Sequence, residues 1–143
     1  MSYEIIDSIT RADIAFRVRG KDLEKLFATG ASALVSIMLQ NPEAVLPSTH
    51  VAFNCESPEL DLLYFDFLSE FIFYKDSKKL ILLPERVDIK QSNDGYYLTC
   101  RAKGDTIDRN RHYFNVDIKA VTMHNLKVEQ TNDEWTATVV LDV

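Results

Sequence analysis

A run of alternating apolar and polar residues over positions 116–128 constrains the fold more than any other stretch of the chain. Successive side chains of a strand point to opposite faces, so every second residue of this run lies on one side. That side is apolar except at Thr122 and His124, and the middle of the other side is apolar as well. The pattern predicts one long central strand that is covered on both faces at its midpoint.

Shorter alternating runs predict further strands, and two segments have helical spacing instead. Strands are expected at 13–19, 49–55, 80–90, 96–102 and 135–143, while residues 3–7 fit either a short strand or an ordered tail. One helix begins after Asp22 as its cap, and small residues at Gly30 and Ala31 predict close packing against a sheet. A second helix begins at Ser57, whose hydroxyl would cap it. The expected fold class is α+β, an antiparallel β-sheet with two α-helices packed on one face.

Length and charge limit the classes of protein that fit. A chain of 143 residues with 46% hydrophobic residues predicts a single domain over 1–143. The formal net charge of −6 argues against direct, phosphate-driven binding of nucleic acid, so any work on RNA is expected through a partner. Without a leader, an apolar run that could cross a bilayer, or a metal-binding spacing of its two cysteines, the chain is expected in a reducing cytoplasm, away from membranes.

Two aspartates fall at the ends of predicted strands. Asp13 opens the first clear strand and Asp142 ends the last one, so antiparallel pairing of these strands would place the two carboxylates side by side. Val143 would add the oxygens of its terminal carboxylate. Such hard oxygen ligands suit Ca²⁺ or Mg²⁺ better than zinc. The alternative is that both are ordinary strand-end acids in water; Arg11 or Lys119 could also neutralise them.

Histidine and acidic residues elsewhere are open to two readings. His124 fits a core histidine held by a hydrogen bond, or a functional imidazole. Ahead of the long alternating run, a turn and a charged loop carry Asp105, Asp108 and His112.

This loop and the alternating run together resemble one family, archease. The family's late motif is roughly A-x-G-E-x-x-D-x-x-x-H followed by E-V-K-A-V-T-Y-H-x-L-x-V. The chain matches it at Ala102, Gly104, Asp105 (in place of Glu), Asp108 and His112, and then in D-I-K-A-V-T-M-H-N-L-K-V over 117–128. Residues 20–27 and 60–68 resemble the family's G-x-D-L-E-E-L-F and L-L-Y-x-W-L.

The resemblance implies a function and a set of site residues. Archease is the accessory partner of the GTP-dependent tRNA-splicing ligase; it is not itself an enzyme, and it promotes guanylylation and repeated turnover of the ligase. Its T-A-D motif and its final F/L-D-hydrophobic ending hold a divalent ion, which implies Asp13, Asp142 and Val143 as ligands and Ca²⁺ as the ion, with Mg²⁺ or Mn²⁺ as alternatives. The weaker candidates, for docking on the ligase or for contacts behind the metal ligands, are Asp105, Asp108, His112, Lys119 and His124.

The start of the chain departs from the family pattern. Where the family reads D-H-T-A-D, this chain has two additional residues between Asp7 and Asp13 and lacks the histidine. The role of that histidine therefore cannot be transferred, and Arg11 beside the site is expected to weaken metal affinity.

Two functions from other classes also fit the sequence. A small metal-dependent hydrolase would use Asp13, Asp142 and His124 around an ion-bound water. A holdase-type chaperone would bind clients through aromatic residues such as Tyr64, Phe65 and Phe73.

Overall fold

The computed structural model describes residues 3–7 and 13–143. In chain order the elements are β1 Tyr3–Asp7, β2 Asp13–Gly20, α1 Leu23–Met38, a 3-10 turn Pro42–Ala44, β3 Thr49–Ser57, α2 Leu60–Lys78, β4 Leu80–Ser92, β5 Gly95–Thr106, β6 Ala120–Val121, β7 Lys127–Thr131 and β8 Glu134–Asp142. The predicted α+β class, with two helices and antiparallel strands in one compact domain, is confirmed.

The strands form two antiparallel sheets where the sequence indicated one. The large sheet has the order β1-β2-β8-β6, and β7 also pairs with β8; the small sheet has the order β3-β5-β4. Both helices contact strands of both sheets and also contact each other. The apolar core fills the space where these surfaces meet, with Phe16, Phe27 and Phe67 fully buried.

Caps explain where the helices begin. Asp22 caps α1 as predicted, because its Oδ1 accepts a hydrogen bond of 2.8 Å from the N–H of Lys25. The prediction for α2 was wrong by two residues, since Glu59 occupies the cap position and makes no side-chain cap hydrogen bond. The Ser57 hydroxyl instead accepts from the Glu59 N–H at 3.2 Å, so it shapes the turn that precedes the helix.

The small residue Gly30 allows α1 to pack closely against α2, whereas the sequence predicted close packing against a sheet. A Cβ atom at Gly30 would overlap the phenol of Tyr64 on α2. Tyr64 is fully buried, and its hydroxyl has no hydrogen-bond partner among the described residues. Glycine is therefore needed at this crossing because the ring of Tyr64 takes the space of a side chain.

The prediction of one strand over 116–128 was wrong. Val121 pairs with Leu141 and Lys127 pairs with Thr138, so five residues of this segment lie opposite only two residues of β8. The surplus leaves the sheet as a turn in which Asn125 has a left-handed φ of 55°. His124 lies in this turn and is exposed, so the interpretation as a core histidine was also wrong.

Candidate functional site

The two strand-end aspartates face each other in the large sheet. β2 and β8 are antiparallel neighbours, and Asp13 is the direct partner of Asp142 in their ladder. Side chains of directly opposed residues have Cβ atoms roughly 4.5–5.5 Å apart on one face of the sheet. Both residues are partly buried, and Val143 follows immediately. The predicted neighbourhood of these strands is thus confirmed, while their role in binding an ion stays a prediction.

A third strand fixes the other side of Asp142. Ala120 of β6 pairs with Asp142, and the Lys119 N–H donates a hydrogen bond of 2.8 Å to the Asp142 carbonyl oxygen. The backbone of Asp142 is therefore held between two strands at the end of β8. The side chain of Lys119 is exposed, and Arg11 lies outside the described residues.

The candidate donors at these strand ends are all oxygen atoms. In the part of the chain that the structure describes, no three His, Cys, Asp or Glu side chains gather as a metal-binding group. The candidate donors are the two carboxylates of Asp13 and Asp142 and the main-chain oxygens of Val143. An oxygen-only set of this kind suits Ca²⁺ or Mg²⁺, and it lacks the nitrogen and sulfur ligands typical of zinc.

Asp105 and His112 form a separate buried cluster with the adjoining loop. Arg111 Nη2 donates to Asp105 Oδ2 at 2.8 Å, and the Leu46 N–H donates to the same oxygen at 3.3 Å. Burial by itself would raise the pKa of Asp105, but these hydrogen bonds and the nearby positive charge lower it below its ordinary value. The cluster holds the loop after β5 against the segment that follows α1.

The imidazole of His112 is oriented by the backbone of its own loop. Its Nδ1 accepts a hydrogen bond of 2.9 Å from the Asp108 N–H, so the proton of the neutral ring lies on Nε2. That Nε2 is 3.2 Å from Asp105 Oδ2, but the two atoms do not form a hydrogen bond, and Nε2 has no hydrogen-bond partner among the described residues. His112 and Asp105 thus join the small sheet to its loop, whereas Asp13 and Asp142 pair within the large sheet.

Lys75 near the end of α2 is a buried charge that the sequence reasoning missed. Its side chain is only 5% exposed, and its Nζ lies 2.6 Å from Asp76 Oδ1 and 2.7 Å from Asp117 Oδ1. Burial lowers the pKa of Lys75, but the hydrogen bonds to Asp117 and Asp76 outweigh it and raise the pKa above its ordinary value. The one signal in the sequence is a lysine at the helical spacing of Phe67 and Phe71, on the apolar stripe.

Lys75 also lines a cleft beside the irregular segment that precedes β6. The cleft has a volume of about 310 Å³, and Arg109 packs over the Phe114 ring on its wall, 4.1 Å from the ring centre. Asp117 lies two residues before Lys119, which binds the Asp142 backbone. The Lys75–Asp117 ion pair therefore links α2 to the segment before β6 that contacts the Asp142 backbone.

Comparison with protein-family models shows to which family the chain belongs. A model of the Archease protein family matches residues 3–143. The chain belongs to the archease family. It is 32% identical over 142 residues to the protein archease of Methanosarcina barkeri, covering 99% of this chain and 95% of that protein. It is 33% identical over 132 residues to the archease of Methanopyrus kandleri, covering 92% and 94% of the two chains.

Solved structures of similar fold agree with the archease assignment. The solution structure of protein 1598 of Methanobacterium thermoautotrophicum has a TM-score of 0.83 and 27% identity, and covers 99% of this chain and 98% of its own. A crystal structure from Thermotoga maritima, described as an archease and possible chaperone, shares the fold with a TM-score of 0.61 at 22% identity, with 98% of each chain covered. The archease relatives carry protein names and no enzyme names. In the described residues, no helix is long and apolar enough to span a membrane.

Proposed function

We propose that this archease binds one divalent cation at Asp13, Asp142 and Val143 and serves as the accessory activator of a GTP-dependent tRNA-splicing ligase in the cytoplasm. The observation that carries the proposal is the direct pairing of Asp13 with Asp142 across β2 and β8. Carboxylates directly opposite each other disfavour a strand pair, and a bound cation would relieve this repulsion. Ca²⁺ is the first candidate, with Mg²⁺ or Mn²⁺ as alternatives.

The residues of the chain would hold the ion, and the ligase would use it. β2 presents Asp13, β8 presents Asp142, and β6 fixes the Asp142 backbone through the Lys119 N–H. A divalent cation supplies neutralisation of the charge that develops on triphosphate oxygens during nucleotidyl transfer. The exposed groups Lys119 and His124 are candidates for contacts with the ligase, and Asp105, Asp108 and His112 are candidates for docking or for contacts behind the metal ligands. RNA would then be reached through the ligase.

Each competing function has a structural difficulty. In the hydrolase alternative, His124 should be held beside the two aspartates, yet it lies in an exposed turn. In the chaperone alternative, Tyr64 should contact clients, yet it is fully buried; Phe73 is 49% exposed and could contact them. Turnover of phosphoesters by the isolated protein would favour the hydrolase. Suppression of client aggregation without any effect on RNA joining would favour the chaperone.

A multiple-turnover RNA-joining assay with the cognate ligase tests the proposal. The native chain should stimulate joining in the presence of the divalent ion, and Asp142→Ala or deletion of Val143 should abolish the stimulation while the domain stays folded. Asp133→Ala is a matched control, because Asp133 is an exposed acid in the turn at the opposite end of β8. Full stimulation by both site variants would refute the metal assignment.

A further inference from the structure

The outer face of the small sheet is formed by residues that point away from the core. Along β5, Leu98, Cys100 and Ala102 are buried, whereas the alternate residues from Tyr97 to Lys103 point outward. The strand register extends this face into rows across β3, β5 and β4: Ala52–Arg101–Arg86, Asn54–Thr99–Asp88 and Glu56–Tyr97–Lys90. No part of the described chain covers these rows, since Tyr97, Arg101 and Arg86 are all exposed.

Cations slightly outnumber acids on this face, although the chain as a whole has a net charge of −6. Four cations lie here, Arg86, Lys90, Arg101 and Lys103, against the three acids Glu56, Glu85 and Asp88. The two arginines are direct cross-strand partners, and like charges in that position destabilise a sheet. Such a pair is stabilised by an anion that contacts both guanidinium groups.

Arg101 and Lys90 are the cations of this face that form no ion pair in the part of the chain that the structure describes. Arg86 donates to Asp88 Oδ2 at 2.9 Å, and Lys103 lies 3.9 Å from Glu85. For Arg101, by contrast, no carboxylate among residues 3–7 and 13–143 lies within ion-pair distance. Its guanidinium therefore keeps all its donors for water or for a bound anion.

Two adjoining clefts in this face could hold a ligand. One has a volume of about 460 Å³ and is lined by Asn54, Arg86 and Arg101. The other has a volume of about 300 Å³ and is lined by Lys90 and Tyr97. The clefts share Arg86, Asp88 and Thr99, so together they form one groove. Its arginine end and its tyrosine end are four residues apart on β5, or about 13 Å.

We propose that this groove binds single-stranded RNA directly. Arg101, Arg86 and Lys90 would contact phosphates, and the ring of Tyr97, which is 43% exposed, would stack on an unpaired base. Asn54 and Thr99 between them would supply hydrogen bonds. An acidic peptide could pair with the arginines but would make no comparable use of the tyrosine face, and the bases of a duplex are not free to stack. The proposal goes beyond the activator function and is independent of the metal ligands. It replaces the expectation, drawn from the net charge of −6, that RNA is reached only through the ligase.

The test measures binding of a fluorescent 12-nucleotide oligouridylate to the full chain by anisotropy, without ligase or metal. Three phosphate contacts predict a slope of about −2 for the logarithm of the association constant against that of salt concentration, hence a roughly 20-fold loss between 50 and 200 mM. Arg101→Glu should weaken binding at least about tenfold, and Arg101→Gln should reduce the slope to about −1.4. Tyr97→Leu should weaken binding about tenfold, and Tyr97→Phe should restore it.

Controls separate this groove from other sources of binding. Lys127→Glu reverses an exposed charge on β7 of the large sheet and should leave binding within about twofold. Amide resonances of β5 and its neighbours should shift on titration with the oligonucleotide. Absence of binding at 50 mM salt, or an equal loss with Lys127→Glu, would overturn the proposal. Equal affinity for GTP, for duplex RNA or for a polyglutamate peptide would also overturn it, and would assign the face to a nucleotide, a duplex or an acidic protein partner respectively.

Discussion

Asp13 and Asp142 are direct partners in the antiparallel ladder between β2 and β8, although one opens the second strand of the chain and the other ends the last. This register places two carboxylates on one face of the large sheet, where β2 begins and β8 ends. Because the Lys119 N–H also binds the Asp142 carbonyl oxygen, the backbone on both sides of Asp142 is fixed before any ligand arrives. The carboxylates of Asp13 and Asp142 therefore face each other and have little freedom to move apart.

A metal titration separates a cation site from two ordinary strand-end acids. We expect Ca²⁺ to raise the melting temperature of the native chain, because a ligand that binds only the folded state stabilises it by about 2.7 kcal/mol at one hundred times its Kd. Asp142→Asn should remove this shift. Without metal, the variant should be as stable as the native chain or up to about 1 kcal/mol more stable, since the opposed charge is gone.

The matched control is Asp133→Asn, which removes an exposed charge from the far end of β8. Its melting temperature should rise with Ca²⁺ as it does for the native chain. Thermal unfolding followed by circular dichroism measures all three proteins. An unchanged Ca²⁺ response in Asp142→Asn would show that the ion, if bound, is bound elsewhere.

The buried Asp105 should make the fold sensitive to acid. Its pKa is lowered in the folded state, so its contribution to stability is complete above its ordinary pKa of 3.8 and is lost as the pH falls below that value. Asp105→Asn should cost about 2 kcal/mol at pH 7, because Arg111 loses a charge-assisted hydrogen bond. The variant should also lose less stability than the native chain between pH 4 and pH 2, which urea unfolding at each pH will measure.

Asp108→Asn provides the control for the same loop. Its side chain is 45% exposed, and its Oδ1, which accepts from the Asn110 N–H at 3.0 Å, has an equivalent in asparagine. We expect a cost of about 0.5 kcal/mol or less. If Asp108→Asn loses as little stability between pH 4 and pH 2 as Asp105→Asn, the pH dependence belongs to the loop as a whole and our prediction is wrong.

The strands and helices that local pattern determines were predicted well, whereas the irregular pairing of 116–128 and the division into two sheets were not. Alternation located β2 and β8 with an aspartate at the end of each, and the resemblance to archease then favoured Asp13 and Asp142 as members of one site. Alternation also continued through 116–128, but the pattern cannot show that five residues there oppose only two of β8. The resulting turn carries His124 into solvent.

Ion pairs between residues far apart in the chain could likewise not be predicted from the sequence. Asp105 near the end of β5 and Arg111 in the loop that follows are six residues apart, so their pairing fits the local sequence. Lys75 and Asp117 come from α2 and from an irregular segment, and no periodicity relates them. The split into two sheets was missed for a similar reason, because alternation shows which residues share a face and not which strands pair.

The hydroxyl of Tyr64 should be a cost to the fold. It is fully buried beside Gly30 and has no hydrogen-bond partner among the described residues. Tyr64→Phe should therefore increase the free energy of unfolding by about 1 kcal/mol in urea titrations, because an unpaired polar group leaves the core. Tyr113→Phe removes a hydroxyl from a residue that is 55% exposed and should change stability by less than about 0.5 kcal/mol. A loss of stability in Tyr64→Phe would contradict the unpaired state of the hydroxyl.

Lys75 should hold the candidate site in place more than it stabilises the whole domain. Lys75→Met keeps the apolar stem and removes a buried ammonium, while Asp76 and Asp117 stay solvated, so we expect global stability to change by about 1 kcal/mol or less. Loss of the tie to Asp117 should let the segment before β6 open locally, and hydrogen exchange of the Lys119 amide should accelerate about tenfold. Lys78→Met, at an exposed position in the same helical turn, should leave that exchange unchanged. Equal exchange in both variants would mean that Asp142 is held without help from α2.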